Sequence, residues 1–535
     1  SNGSQPRSYD VIVVGGGHNG LVAAAYLARA GLRVLVAEAR EVLGGPVGTY
    51  EFMPGYKTPF TNSPGSFEPR IMQDLDLETH GLHFFRPDPT LVHRFETSTM
   101  IGWRDRAKVE DQLNRYSPDE AERYNRLVAD IEEMGAALRI SLFEPGRDLD
   151  RARANLTPKQ AALFDQVFYG SLKDLLDSRL KSVEAKALLG MVALNVTCAR
   201  PSSPGTAMGL ILRPLSIASS ADGATEDKRH DPRRSALRGA TGLPVGGMGA
   251  IADALESYCR SHGVDIRRAA RVKHILSENG RVAGIVTDKG ETFLAPAVVS
   301  SINPQLAFRM LDDKAVPPGM RADIDKLPMM GSAFKLVLAL DRIPRYVGLP
   351  DGLPNEIAAA TQFRIAWSLD EFEDRIRDAQ EGRVTDRPLI WGLIPSIVSP
   401  QLAPPGKHVL SANIWHVPYQ PREGDWASLK ERFVQNSIDR IADLMPDIRE
   451  CITGYSAMTP VELESELSLV RSHITHGNML TAQLFGPRPH ALANDYRTPL
   501  KGFYLSGAGT WPGGYVTGVP GLNASRTILR DLGKN

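Results

Sequence analysis

Cysteine is scarce in this chain: Cys198, Cys259 and Cys451 are the only three in 535 residues, far apart and with no C-x-x-C pair. That excludes a dithiol redox centre of the disulfide-reductase kind and gives no basis for a zinc site or a disulfide framework. Net charge is missing too, since Lys plus Arg and Asp plus Glu number 62 each. No overall field draws the chain to nucleic acid or to an anionic surface. Long apolar runs are absent, and a stretch such as Leu188 to Val196 falls far short of a membrane span. No internal repeat stands out. A reducing setting follows, cytoplasmic or, if a targeting segment has been removed, an organelle matrix. The length calls for two or more domains.

What the chain does have is glycine in telling places. The stretch "VIVVGGGHNGLVAAAYLARAGLRVLVAEAR" opens on a continuous apolar run, Val11 to Val14, of the kind buried in parallel sheets. A Gly-rich turn follows, then a helix over Leu21 to Ala30 and a second apolar strand from Arg33 to Ala37. Gly15 suits the tight turn, Gly17 the close approach of backbone to a pyrophosphate, and Gly20 the packing of helix on strand. The helix N-terminus offers N–H groups to the phosphates. Glu38 stands where a carboxylate accepts ribose hydroxyls and repels a 2′-phosphate. The unit fits FAD and NAD alike and disfavours NADP.

Two further regions share this character. From Arg271 to Asn303, turn signals at Asn279-Gly280 and Lys289-Gly290 predict a three-stranded meander and a buried strand over Ala297 to Ser300. Just before it, "GGMGAIADALE" reads as a helix N-terminus facing a ligand, since no apolar strand precedes it. Near the C-terminus, Gly502 to Ser506 reads as a strand, Gly507 to Gly518 as a Gly-rich loop and Val519 to Leu532 as a helix. Between these regions lie helical patterns at Asp119 to Leu142 and Pro158 to Leu194, strands in "SAFKLVLAL" and "HVLSANIWHV", and a helix over Ser428 to Leu444. The polar stretch from Ser216 to Thr241 reads as a mobile loop.

Several side chains invite a chemical role. His476, in "SHITHGN", is the candidate general base. His473 lies three residues before it, but no third metal ligand is evident. Trp511 and Tyr515 are candidates for a ligand pocket. Glu462, Glu464 and Glu466 alternate, which suggests a solvated strand or loop face.

Taken together, "VIVVGGGHNGLVAAAYLARAG", "LGGPVGTYEFMPGYK", "GGMGAIADALE", "VVSSINP", "ITHGNM" and "FYLSGAGTWPGGYVTGVPGLNA" resemble the phytoene desaturase and carotenoid isomerase group of FAD-dependent oxidoreductases. The resemblance runs over almost the whole length and implies FAD rather than NAD. It places the diphosphate loop on Gly15, Gly17 and Gly20 and the ribose acid on Glu38. It sets Ala39, Arg40, Gly44 and Gly45 along the phosphates and Val272 beside the adenine. Gly507, Gly514, Val516 and Gly518 fall on its C-terminal flavin motif. One departure is Pro46, where amine oxidases of this fold often carry Arg after the paired glycines.

The fold implied is α/β: a discontinuous Rossmann-like FAD-binding domain of the glutathione reductase type, with a β-meander, from residues 1–75, 239–303 and 454–535. A mixed α+β substrate domain with a helical cap is expected from 76–238 and 304–453. The expected activity is transfer of a hydride from a small organic molecule, hydrophobic or amine-bearing, to the flavin. No dedicated second nucleotide fold is apparent, so oxygen, a quinone or a protein would take the electrons. Self-association and peripheral membrane contact are in keeping with the resemblance. A flavin-dependent isomerase and a non-catalytic FAD-binding scaffold are the alternatives.

Overall fold

The computed structural model describes residues 5–62, 67–145, 147–195, 197–220 and 242–534. Its centre is a five-stranded, all-parallel sheet in the order Asp265–Arg267, Val34–Ala37, Val11–Val14, Ala297–Ser300 and Phe503–Leu505. The three inner strands, VLVA, VIVV and AVVS, are buried at every position. Both faces of a parallel sheet are covered, which is why these strands read as unbroken apolar runs. One face carries the helices His18–Arg29, Gly249–Ser261 and Val519–Asp531, packed against one another. The other carries the meander Val272–Glu278, Arg281–Thr287 and Thr292–Leu294, extended by Arg7–Ser8. The first helix starts at His18, earlier than the apolar pattern suggests, because Gly17 is its N-cap.

A second sheet has seven strands in the order Ile452–Met458, Ser332–Leu340, His408–Val417, Ile390–Leu393, Gln362–Ile365, Leu91–Arg94 and Thr99–Ile101. Ile452–Met458 crosses the edge expected at residue 454 and joins this sheet. Conversely, the helices Pro304–Arg309 and Met320–Asp325, expected with the substrate region, bury Phe308, Met320 and Ile324 against the parallel sheet and its meander. Chain order alone misleads here, because apolar faces choose their partner by burial.

Three other expectations change. The stretch from Pro158 is not one helix but three, Pro158–Phe168, Leu172–Arg179 and Val183–Ala193, with Ser171 and Ser182 capping the second and third. Residues 216–220, expected in a loop, end the helix Leu212–Ser220, and residues 221–241 lie outside the described residues. Glu462, Glu464 and Glu466 lie on the helix Pro460–Leu467, opened by a capping box between Thr459 and Glu462. The T-x-x-E spacing was the signal for it.

The helical cap is held by Glu120, fully buried at the start of Glu120–Ala137. Its carboxylate accepts N–H bonds from Lys181 at 3.0 Å and from Ser182, and pairs with Arg123 at 2.9 Å. Burial pushes this carboxyl up, but the Ser182, Arg123 and Lys181 bonds outweigh it and hold it below its usual value. A depressed folded pKa stabilises the protein above the unfolded pKa, roughly 4.3 for Glu, and that stability is lost as pH falls through the folded value. Glu120→Gln is therefore expected to lower the urea midpoint at pH 7, with a gap to wild type that closes on acidification. Parallel pH curves for the two proteins would show that the charge on Glu120 contributes nothing.

Candidate functional site

One cavity of about 320 Å³ runs between the two sheets. At one end it is lined by Gly15, Gly17 and Glu38; at the other by Arg364, Trp391 and Trp415. That volume lies within the range of ligand pockets, about 300–1,000 Å³.

The glycines of the first turn divide their roles by geometry. Gly15 has φ +96°, and a Cβ there would lie 2.9 Å from both Ile302 Cγ2 and Ser301 Oγ. At Gly20 a Cβ would come within 2.0 Å of the Gly15 carbonyl oxygen, so this glycine serves helix–strand packing. Gly17 differs: no protein atom lies within 4 Å of its Cβ position, and the residue lines the cavity. No neighbouring protein atom requires a bare backbone there, whereas a ligand approaching from the cavity would.

Glu38 follows the second strand and is 7% exposed. Burial pushes its carboxyl up, while the N–H groups of Arg40 and Gly16 draw it back. Ala39 and Arg40 continue from it without lining the cavity. Arg40 pairs with Glu466 at 2.9 Å and lies over the Phe60 ring, yet its Nη1 is buried without a partner. Gly44 donates its N–H to the Gly16 oxygen at 2.8 Å, which brings Gly45 and Pro46 to the cavity wall. Val272 opens the meander with its side chain in the apolar core, away from the cavity lining. The helix Gly249–Ser261, expected to face a ligand, also stands outside the lining: a Cβ at Gly249 would meet Thr49 Oγ1 at 2.2 Å, so its glycine serves packing.

Of the C-terminal loop, Gly514, Tyr515 and Val516 line the cavity. Gly507 and Gly518 do not; both have positive φ, and a Cβ at Gly507 would meet the Ser301 oxygen at 2.5 Å. Tyr515 is buried enough to push its phenol up to about 12. Trp511, expected beside it in the pocket, is instead 1% exposed in the core, packed edge-on to Phe485 and under the Arg147 guanidinium. A bulky apolar ring next to a Gly-rich loop signals burial, and burial alone does not say which side of the wall.

His476 lines the cavity, half-buried, at φ +53° with a buried and unpartnered Nδ1. Arg488 fixes its loop by donating to the Thr475, Asn478 and Ala508 oxygens at 2.7, 2.8 and 2.7 Å. Burial, then Arg488, His473 and His18, push its imidazole down to about 3. Burial thus favours the neutral ring and makes it a weak base, and the general-base role expected for it rests on the substitution test. His473 is held to about 4 by burial and Arg488. Among the described residues no group of three or more His, Cys, Asp or Glu is placed to hold a metal ion. No helix among them is long and apolar enough to cross a membrane.

Sequence reasoning missed the cavity's polar lining. His18 Nε2, Asn62 Oδ1, Asn195 Oδ1, Asn413 Nδ2 and Nε1 of Trp391 and Trp415 all lack partners, and all their residues line this one cavity. Buried polar atoms are ordinarily paired, so unmet donors and acceptors concentrated around a single space mark the seat of a ligand. Only His18 had a visible signal, its place between Gly17 and Gly20.

A Gly-cradled parallel sheet whose cavity continues onto a second, mixed sheet is the arrangement of a flavoenzyme. The sequence model for flavin containing amine oxidoreductase matches residues 20–525, and the chain belongs to that family. It is 30% identical over 570 residues to rat pyridine nucleotide-disulfide oxidoreductase domain-containing protein 2, covering 99% of this chain and 95% of that one. A limonene dehydrogenase polypeptide of Castellaniella defragrans is 26% identical, covering 99% and 96%. Among solved structures, putrescine oxidase bound to putrescine superposes with a TM-score of 0.63 at 16% identity, covering 98% and 99%, and shares the fold. The protein is thus an FAD-dependent oxidoreductase. The site fits FAD on its own evidence, through the side-chain-free space at Gly17, the acid at Glu38 and the unpaired polar atoms around the cavity. Its three cysteines are buried and free, so disulfide reduction has no chemical basis here.

Proposed function

We propose that this chain is an FAD-dependent dehydrogenase, oxidase or desaturase acting on an organic substrate bound between the flavin and the seven-stranded sheet. The observation that carries this reading is the continuity of one cavity from Gly17 and Glu38 to Trp391 and Trp415. Gly15, Gly17 and the N–H groups opening His18–Arg29 would hold the diphosphate, and Glu38 a ribose. Arg40, Gly44 and Gly45 would flank the phosphates, with the Val272 backbone toward the adenine. Gly514 and Val516 would lie along the flavin, and the start of Val519–Asp531 would favour negative charge at its pyrimidine end. When bound, FAD takes up the hydride that the substrate loses.

The chain's own share is orientation and exclusion of water. Trp391, Leu393, Trp415 and Ile474 give the substrate end an apolar wall. An apolar substrate is in keeping with the name of limonene dehydrogenase, an amine with that of putrescine oxidase. Oxygen, a quinone or a protein would reoxidise the flavin. With any substrate that reduces the flavin, His476→Gln is expected to lower kcat/KM by less than about 10-fold, against the 10²–10⁴ of a lost general base. A fall of about 10³ or more, with loss of a limb of the pH profile, would restore the base role.

An isomerase without net redox change is the second reading, favoured by 23% identity to prolycopene isomerase 1 of an Oncidium hybrid cultivar. Anaerobic photoreduction separates the two. Turnover that needs reduced flavin and consumes no acceptor identifies the isomerase; substrate-driven bleaching of oxidised flavin identifies the oxidoreductase.

A further inference from the structure

The far wall of the cavity is one face of the seven-stranded sheet, and its register is informative. Lys335 pairs with Asn413, Asn413 with Trp391, Trp391 with Arg364 and Arg364 with His93, making one row across five neighbouring strands. Residues directly opposite one another project from the same face. Lys335 is satisfied on this face, donating to Ser411 Oγ at 2.6 Å and to its row neighbour Asn413 Oδ1 at 2.8 Å. Arg364 is not. It is 8% exposed and lines the cavity, yet its Nε and Nη1 have no acceptor.

Among the described residues, the surroundings of Arg364 are positive or neutral. Arg213, from Leu212–Ser220, lines the same cavity. Burial, and then the charge of Arg213, press the Arg364 guanidinium down to about 10. His93, its neighbour in the row, gives Nε2 to the Ala366 carbonyl at 2.8 Å and is held neutral by burial. Tyr124 and Tyr515 are phenols pushed up, not anions. Among the described residues, the one acid lining the cavity is Glu38, at the nucleotide end. A buried guanidinium without a counter-charge is costly, and a fold retains one where a ligand brings the negative group.

We propose that Arg364 is the anchor for a carboxylate on the substrate. The substrate class is then an organic acid, with its apolar body against Trp391, Leu393 and Trp415 and its anionic end on Arg364. This deepens the reading of the cavity as a flavoenzyme's substrate site and rests on it. A substrate whose only charge is an ammonium is disfavoured at this end, since Arg364 repels it.

Hexanoate, hexanamide, hexylamine and hexyl phosphate, titrated into the purified holoenzyme by calorimetry, test the proposal. Hexanoate is expected to bind at least about 30-fold more tightly than hexanamide or hexylamine. Arg364→Met is expected to abolish that preference while retaining FAD, and Arg364→Lys to keep part of it. Equal affinities for hexanoate and hexanamide, or an unchanged preference in a folded Arg364→Met, would overturn the assignment; so would tighter Arg364-dependent binding of hexyl phosphate than of hexanoate. The wild-type comparison decides even if a variant fails to fold. Flavin content and photoreduction of the same samples report separately on the flavoenzyme reading: a chain without flavin that still selects hexanoate sinks that reading and leaves the anion site standing.

Discussion

Gly17→Val yields a folded chain that purifies without FAD. The backbone at Gly17 has φ −68° and ψ 176°, which any residue adopts. No protein atom lies within 4 Å of the new Cβ, so the substitution meets no clash there and costs the fold only the weaker N-cap. The branched side chain instead would occupy the space proposed for the diphosphate's approach to the backbone. An affinity loss of at least about 100-fold, near 2.7 kcal/mol, is the expected scale. Gly20→Ala is the contrasting control, because its Cβ would sit 2.0 Å from the Gly15 oxygen. That variant should lose soluble yield or Tm first, and flavin only as a consequence. Full flavin content in Gly17→Val would mean that the turn is not the cradle.

Arg440→Met is expected to destabilise the protein by about 3–5 kcal/mol without changing FAD stoichiometry. The Arg440 side chain is fully buried, pairs through Nη2 with Glu371 Oε1 at 2.5 Å beside the Trp367 ring at 4.7 Å, and has the half-exposed Asp443 carboxylate 3.6 Å from Nη1. Glu371 is 8% exposed at its side chain, and its remaining partner is the Trp367 N–H at 3.0 Å. Truncating the arginine leaves that carboxylate buried beside one neutral donor, which is the costly case. Replacing both groups, as Arg440→Met with Glu371→Leu, removes the stranded charge and should recover most of the loss. Denaturant midpoints for wild type, both single variants and the double variant give the coupling directly. A single-variant cost below about 1 kcal/mol, or a double variant no better than Arg440→Met, would show that the pair is not a buried charge couple.

The parallel sheet was legible because its determinants are local. Val11–Val14, the glycine turn and Ala297–Ser300 declare themselves within a few residues, and so does the loop from Gly507 to Gly518. The far cavity wall was not legible. Arg364 sits in an unremarkable QFRI strand, and its surroundings among the described residues come from Arg213, Tyr124 and Tyr515, each far away in sequence. His476 shows the same limit. Burial, Arg488 and His18 disfavour its charged ring, and spacing reveals none of them. Trp511 and Tyr515 are four residues apart in one loop, and packing sends the first to the core and the second to the cavity.

The flavin content and reactivity of the purified chain test the central claim most directly. The visible spectrum of the protein, followed by anaerobic photoreduction and admission of air, is predicted to show one bound FAD per chain that bleaches and then recovers. Rapid recovery identifies an oxidase, and slow recovery a dehydrogenase, desaturase or isomerase. A colourless protein that takes up no flavin after incubation with FAD would contradict the account.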